Sequence, residues 1–202
     1  VATAAQNSIT TATGLVTVGA AGTASAVAGV TFFKESNSIY THDVSGTSDA
    51  ANFNVAFGVT ALDAVTTGDS NVAIGYDALT ANTTGSENTS VGKSSMNSNT
   101  TGINNTAVGQ SAFSNNTTGG HNIGIGANAG YSNTTGTRNI AIGSNAYDLS
   151  DTENDNIAIG YNAMTTNTAG GTQNIALGNY ALDALTSGDA NTAIGNNSLT
   201  AN

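Results

Sequence analysis

The chain has no cysteine, so it can form neither disulfide bonds nor thiolate sites. Proline and tryptophan are also absent, and only Lys34, Lys93 and Arg138 are basic among the 202 residues. The formal net charge of −10 disfavours nucleic acid and anionic membranes as partners. No run of about twenty apolar residues occurs, which excludes direct membrane insertion as a spanning helix.

Charge itself is scarce. Charged residues make up 8% of the chain, far below the usual quarter. Low charge together with low hydrophobicity is compatible with disorder. A strict sequence period contradicts that interpretation, because a disordered chain needs no register. The abundant residues are Gly, with 25 copies, and Thr, Asn and Ala.

The period is carried by the motif Asn71-Val72-Ala73-Ile74-Gly75, which returns nine times with small changes. The spacing of its glycine is 17 residues in every step except the 18 between Gly160 and Gly178. Such regularity predicts a stacked solenoid. These turn glycines are Gly58, Gly75, Gly92, Gly109, Gly126, Gly143, Gly160, Gly178 and Gly195.

The repeat divides the chain into three parts. Residues 1–36 are predicted as N-terminal cap or connector strands, and 37–53 as a degenerate first coil and boundary. Residues 54–202 are predicted as eight full coils and one partial coil of an all-β parallel β-roll. Each coil is expected to contain two short strands and two turns, because seventeen residues are too few for a helix pair. The incomplete last repeat suggests that the chain continues beyond residue 202.

Positions within a coil are numbered here from its first Asn. Positions 2 and 4 are apolar, and so is position 3, although side chains alternate between faces along a strand. A narrow coil has one interior, in which the small Ala of position 3 fits. The opposite assignment, with Ile inside and Ala outside, leaves a milder surplus of apolar surface. Either way other copies of the chain are the simplest cover. The position-4 residues, predicted as oligomer or core apolar residues, are Phe57, Ile74, Val91, Val108, Ile125, Ile142, Ile159, Leu177 and Ile194.

Asparagine occupies position 1 in all nine units. Stacked coils would hold these amides about 4.8 Å apart, where they can hydrogen-bond along the stack. The sequence therefore predicts a structural Asn ladder, with a sugar- or metal-binding role as the alternative. Its members are Asn54, Asn71, Asn88, Asn105, Asn122, Asn139, Asn156, Asn174 and Asn191.

The Asn-x-Ala-Ile-Gly unit resembles the head repeat of trimeric autotransporter adhesins of the YadA type, for example at Asn71, Ala73, Ile74 and Gly75. The resemblance covers about residues 54–202. It implies a left-handed parallel β-roll with three chains side by side, displayed outside the cell and bound to matrix or a host surface. That family's repeat is shorter, and the added Asn-Thr-Thr-Gly segment is similar to repeats of phage tail fibres.

These observations predict a structural or adhesive fibre, on a virion or a bacterial surface. Its partners would be two further copies, other fibre or virion proteins, and a host-surface receptor or glycan. The alternative is an ice- or surface-binding solenoid that uses the stacked threonines Thr66, Thr83, Thr100, Thr117 and Thr134.

Catalysis is not predicted, and neither a cofactor nor a metal site is expected. His42 and His121 are about five coils apart and cannot share a site. The one acidic cluster, Asp148, Asp151, Glu153 and Asp155, is predicted as a solvated turn, with calcium binding as the alternative. No pair of carboxylates repeats at the spacing that glycoside hydrolysis needs.

Overall fold

A computed structural model describes residues 25–27, 30–35 and 38–40, for which only the backbone is considered, and residues 51–166 and 170–200. Residues 1–24 of the predicted cap and residues 41–50 of the predicted degenerate first coil, His42 included, lie outside the described residues. Within the described ranges, no helix has the length and apolar character needed to cross a bilayer.

The first three strands precede the regular coils. They are β1 (Ser25–Val27), β2 (Val30–Glu35) and β3 (Ser38–Tyr40). β1 pairs antiparallel with β2, and β2 pairs antiparallel with β3. β3 then pairs parallel with the first coil, but Ile39 lies opposite Val55, an offset of 16 residues. The sequence period predicts an offset of 17 for this segment, so its register differs by one residue.

Nine parallel strands form the regular stack, one in each coil, and this confirms the predicted all-β solenoid of roughly 17-residue turns. Partners are offset by 17 residues, except for the 18 between Ile157 and Ile175. The strands are β4 (Val55–Phe57), β5 (Val72–Ile74), β6 (Thr89–Val91), β7 (Thr106–Val108), β8 (Ile123–Ile125), β9 (Ile140–Ile142), β10 (Ile157–Ile159), β11 (Ile175–Leu177) and β12 (Thr192–Ile194).

The middle residue of each of these strands points into the coil. Ala73, Ala141 and Ala158 are fully buried, whereas both flanking residues of each strand are partly or fully exposed. The structure thus selects the assignment with small residues inside and large aliphatic residues outside. The interior is narrow, so only a small side chain fits opposite the second side of the coil.

The prediction of a second strand in each coil is wrong. Residues 76–81 form turns, in which Asp77 and Leu79 have φ of 56° and 52°. The backbone still bonds from coil to coil, as from Leu79 N–H to the Ser95 carbonyl at 3.0 Å. Left-handed φ values are unfavourable for residues other than glycine, so the local sequence does not predict them. Hydrogen bonds between coils compensate for this unfavourable backbone conformation.

Large apolar side chains fill the interior from position 9, on this turn side. Leu79, Met96, Phe113, Tyr147 and Met164 are all completely buried. The largest side chains of the core therefore come from the turns and the smallest from the strands. No pattern in the sequence assigns position 9 to the interior.

The turn glycines follow the strands directly. Gly75 has φ of 135°, and a β-carbon there would lie 2.5 Å from the carbonyl oxygen of Gly92 in the next coil. A residue with a side chain would be both strained and in collision with the neighbouring backbone. This close approach explains why glycine recurs at position 5 of every coil.

Candidate functional site

Two ladders of asparagine run through the interior. In the position-1 ladder, the backbone N–H of Asn105 donates to Oδ1 of Asn88 at 3.0 Å, and the side-chain amide of Asn105 donates to the Gly119 carbonyl at 2.8 Å. Oδ1 of Asn105 in turn accepts from the backbone N–H of Asn122 at 2.9 Å. Each asparagine therefore forms hydrogen bonds to the neighbouring coils, and its side-chain amide also bonds to a carbonyl near the end of its own coil. These bonds occupy the polar atoms that a ligand would need.

The second ladder, at position 12, is not predicted by the sequence analysis. Nδ2 of Asn99 donates to Oδ1 of Asn82, and Nδ2 of Asn116 donates to Oδ1 of Asn99, both at 2.8 Å. All three residues are completely buried. Their 17-residue spacing is visible in the sequence, but the Asn-Thr-Thr-Gly context makes them look like part of a solvent-facing turn.

The two threonines of each Thr-Thr-Gly turn have different environments, because the first forms hydrogen bonds within the chain and the second faces solvent. Hydroxyls of the first threonines bond along the stack, as from Thr83 Oγ1 to the Thr100 carbonyl at 3.1 Å. The second threonines form an exposed column: Thr67, Thr84, Thr101, Thr118, Thr135 and Thr152. The column that can present hydroxyls to a ligand is thus adjacent to the one considered in the sequence analysis.

The acidic cluster is dispersed, and Glu153 contradicts the prediction of a solvated turn. Only 3% of Glu153 is exposed, and its carboxylate accepts from the backbone N–H groups of Asp151, Thr152 and Gly170 at 2.9 to 3.1 Å. Glu153 stands where other coils have glycine, and its carboxylate ties the turn to the following 18-residue coil.

Another acid of that cluster forms an ion pair. Asp155 binds the guanidinium of Arg138, with Oδ1 2.6 Å from Nε, and this lowers the pKa of the carboxyl. Burial raises the pKa of Asp148. Among the described residues, no three His, Asp or Glu side chains are grouped so that they could hold a metal ion.

The Tyr147 phenol lies in the interior of the same coil. Burial raises its pKa, and its hydroxyl accepts from Nδ2 of Asn156 at 2.9 Å while it donates to the Glu153 carbonyl at 3.3 Å. A neutral phenol is therefore a structural bridge between the two coils.

Within residues 51–166 and 170–200, the outward side of the strands is partly exposed along its whole length. This strand face consists of positions 2 and 4 of β4 to β12. Ile123 and Ile125 are 37% and 41% exposed, and Phe57 reaches 54%. The position-4 residues predicted as oligomer or core residues all lie on this face, outside the core of the chain.

The strand face is also long and continuous. Nine strands at about 4.8 Å spacing extend about 38 Å along the stack. Aliphatic residues fill both columns in most strands, with threonine at position 2 in β6, β7 and β12. The candidate site is therefore an apolar surface with a regular repeat.

Comparison of the chain with protein families, curated proteins and solved structures found no match. The structure defines its class as an all-β parallel solenoid. What this solenoid does must be argued from its own surface.

Proposed function

We propose that the chain is a structural and adhesive fibre component, in which three copies pack side by side with their strand faces turned inward. The coils would be left-handed, as the resemblance to adhesin heads implies. The fibre would stand on a virion or bacterial surface, with other fibre or virion proteins at its ends and a host-surface receptor or glycan as its target.

The single observation that supports this proposal is the exposed strand face. Each three-residue strand is about 10 Å long, so the nine strands present an apolar strip of roughly 380 Å². The edge residues on either side enlarge the surface that a neighbouring copy can cover, towards the roughly 800 Å² which each partner contributes to a standard specific interface. A contiguous apolar strip rimmed by polar residues is typical of an interaction site.

The interior suits a rigid rod. Every coil bonds to the next through its backbone, its position-1 asparagine and, in most coils, a threonine hydroxyl. A solenoid assembled from such contacts transmits force along its axis and has few open loops. These features support a shaft or head rather than an enzyme.

Sedimentation equilibrium over a micromolar concentration range tests the proposal. We expect a species with three times the mass of one chain. The double variant Ile142→Asp, Ile159→Asp places two charges on the strand face and should give monomers that retain the β-sheet circular dichroism signal. The matched control Thr118→Asp, Thr135→Asp adds the same charge on the exposed threonine column and should remain trimeric. A wild-type monomer would contradict the proposal, and a dimer would contradict the three-chain arrangement.

Ice or flat-surface binding remains the second candidate, favoured by the exposed threonine column of six consecutive coils. The neighbouring threonines donate their hydroxyls within the chain, so the array is only one hydroxyl wide. A thermal-hysteresis measurement decides: ice binding requires hysteresis that Thr101→Val and Thr118→Val alter, and its absence at millimolar concentration excludes this function.

A further inference from the structure

Glu87 and Lys93 lie on opposite edges of one strand. Glu87 immediately precedes the ladder Asn88, and Lys93 immediately follows the turn Gly92. Both are exposed. The strand β6 (Thr89–Val91) lies between them, and among the described residues the two side chains form no ion pair with each other.

Lys93 is unusual because basic residues are so rare here. Lys34 belongs to the N-terminal strands, and Arg138 is already paired with Asp155. Within residues 51–166 and 170–200, no hydrogen bond or ion pair involves the Lys93 side chain. Its charge is therefore available at the rim of the strand face.

The residues at the two edges match each other in chemical character in four of the nine coils. The leading edge consists of the residues just before each ladder Asn: Phe53, Ser70, Glu87, Asn104, His121, Arg138, Asp155, Gln173 and Ala190. The trailing edge consists of the residues just after each turn Gly: Val59, Tyr76, Lys93, Gln110, Ala127, Ser144, Tyr161, Asn179 and Asn196.

The match is clearest in four coils. Phe53 and Val59 are both apolar, with 64% and 66% of their surfaces exposed. In one coil, the leading and trailing residues carry opposite charges, Glu87 and Lys93. In the next coil, both are amides, Asn104 and Gln110. Gln173 and Asn179 form a second amide pair in the coil that begins at Asn174.

We propose that the trailing edge of one copy packs against the leading edge of the next at the same coil, so that Lys93 pairs with Glu87 of the neighbouring copy. This inference rests on the proposed side-by-side assembly and specifies its register and polarity. All copies run parallel, and each contributes one edge of each kind, so three edge contacts close the ring.

Other arrangements lose this match. Contacts between like edges would place Lys93 against Lys93. A centred antiparallel arrangement would bring the apolar Phe53 and Val59 to the opposite end, near Ala190 and Asn196. A solvent-exposed ion pair of this kind contributes chiefly to specificity, because like charges in other registers repel. The strand face supplies the affinity, and the edges select the register.

Disulfide trapping tests the register, because the chain has no native cysteine. The variant Glu87→Cys, Lys93→Cys should give covalent dimers and trimers under mild oxidation, since a disulfide requires Cα atoms about 4.4 to 6.8 Å apart. The single variants should remain uncross-linked. The control Glu87→Cys, Ala127→Cys places its second cysteine two coils away and should cross-link at least tenfold more slowly.

Charge reversal gives an independent measurement. Lys93→Glu places two carboxylates at each contact and should raise the concentration at half-dissociation about tenfold in low salt. The swapped variant Glu87→Lys, Lys93→Glu should restore assembly. In half-molar salt, where the screening length is only a few ångströms, the difference should largely disappear.

The outcomes separate this inference from the proposed function. If the wild type is trimeric but the Glu87→Cys, Lys93→Cys variant cross-links no faster than the control, or the swapped variant does not recover, the register is wrong and the trimer stands. If the single cysteine variants cross-link, like edges meet, and the register is again wrong. A monomeric wild type overturns both proposals.

Discussion

The ring of Phe113 occupies the space that a β-carbon on residue 124 would fill. A β-carbon on Gly124 would lie 2.5 Å from Cδ2 of Phe113, although every other described coil has Ala or Ser at this position. A β-carbon on Gly130, on the opposite side of the same coil, would also collide with the Phe113 ring. One large side chain in one coil is thus accommodated by two glycines in the next.

Gly124→Ala should therefore destabilise the protein by about 1–3 kcal/mol, because the added methyl overpacks a closed interior. Phe113→Leu removes the collision, and Gly124→Ala in that background should cost much less. Urea unfolding at fixed chain concentration gives the double-mutant cycle, with an expected coupling of at least about 1 kcal/mol. Additive effects of the two substitutions would show that the ring and the glycine are not coupled.

The sequence predicts the position of the strand and of its turn glycine well, because alternation and glycine spacing mark both, although it leaves open whether Ala or Ile faces the interior. The turn side is different. Leu79 is apolar and so is Ile74, yet only Leu79 is buried. No periodic pattern in the sequence distinguishes the buried Leu79 from the exposed Ile74. The left-handed φ of Leu79 changes the direction of its side chain, and the residues around it do not predict that φ.

Glu153 illustrates a second limit. A carboxylate in a turn is normally solvated, and the prediction follows that rule. Here three backbone N–H groups converge on the carboxylate of Glu153. They do so because this coil lacks the Thr-Thr-Gly turn and the next coil has one additional residue. Such a contact depends on two coils at once, so one-dimensional reasoning cannot find it.

Asn105 shows what the buried ladder contributes. Asn105→Ala removes the acceptor of the Asn122 backbone N–H, which belongs to a fully buried residue. The cost should be about 1–3 kcal/mol, the penalty for one unsatisfied buried donor.

The matched control for this ladder variant is Asn115→Ala. Its side chain forms no hydrogen bond within the described residues, and its removal should change stability by less than about 0.5 kcal/mol. Urea unfolding of the two variants checks the difference. An equal loss of unfolding free energy in the two variants would mean that the hydrogen bonds of the ladder contribute no stability of their own.

The ion pair between Arg138 and Asp155 predicts a defined pH dependence. Hydrogen bonds from the guanidinium, together with its charge, hold the pKa of Asp155 below its ordinary value of 3.8. Because the folded pKa is the lower one, the stabilisation is present above the unfolded value and is lost as the pH falls through the folded pKa. We expect an NMR titration of the carboxyl carbon to show the lowered pKa in the wild type and a return towards 3.8 in Arg138→Gln. Asp189, whose pKa is lowered by the backbone N–H of Thr172 at 2.8 Å, should titrate identically in both proteins. An unchanged pKa of Asp155 in the variant would show that the exposed pair is not formed in solution, where solvent and salt weaken such contacts.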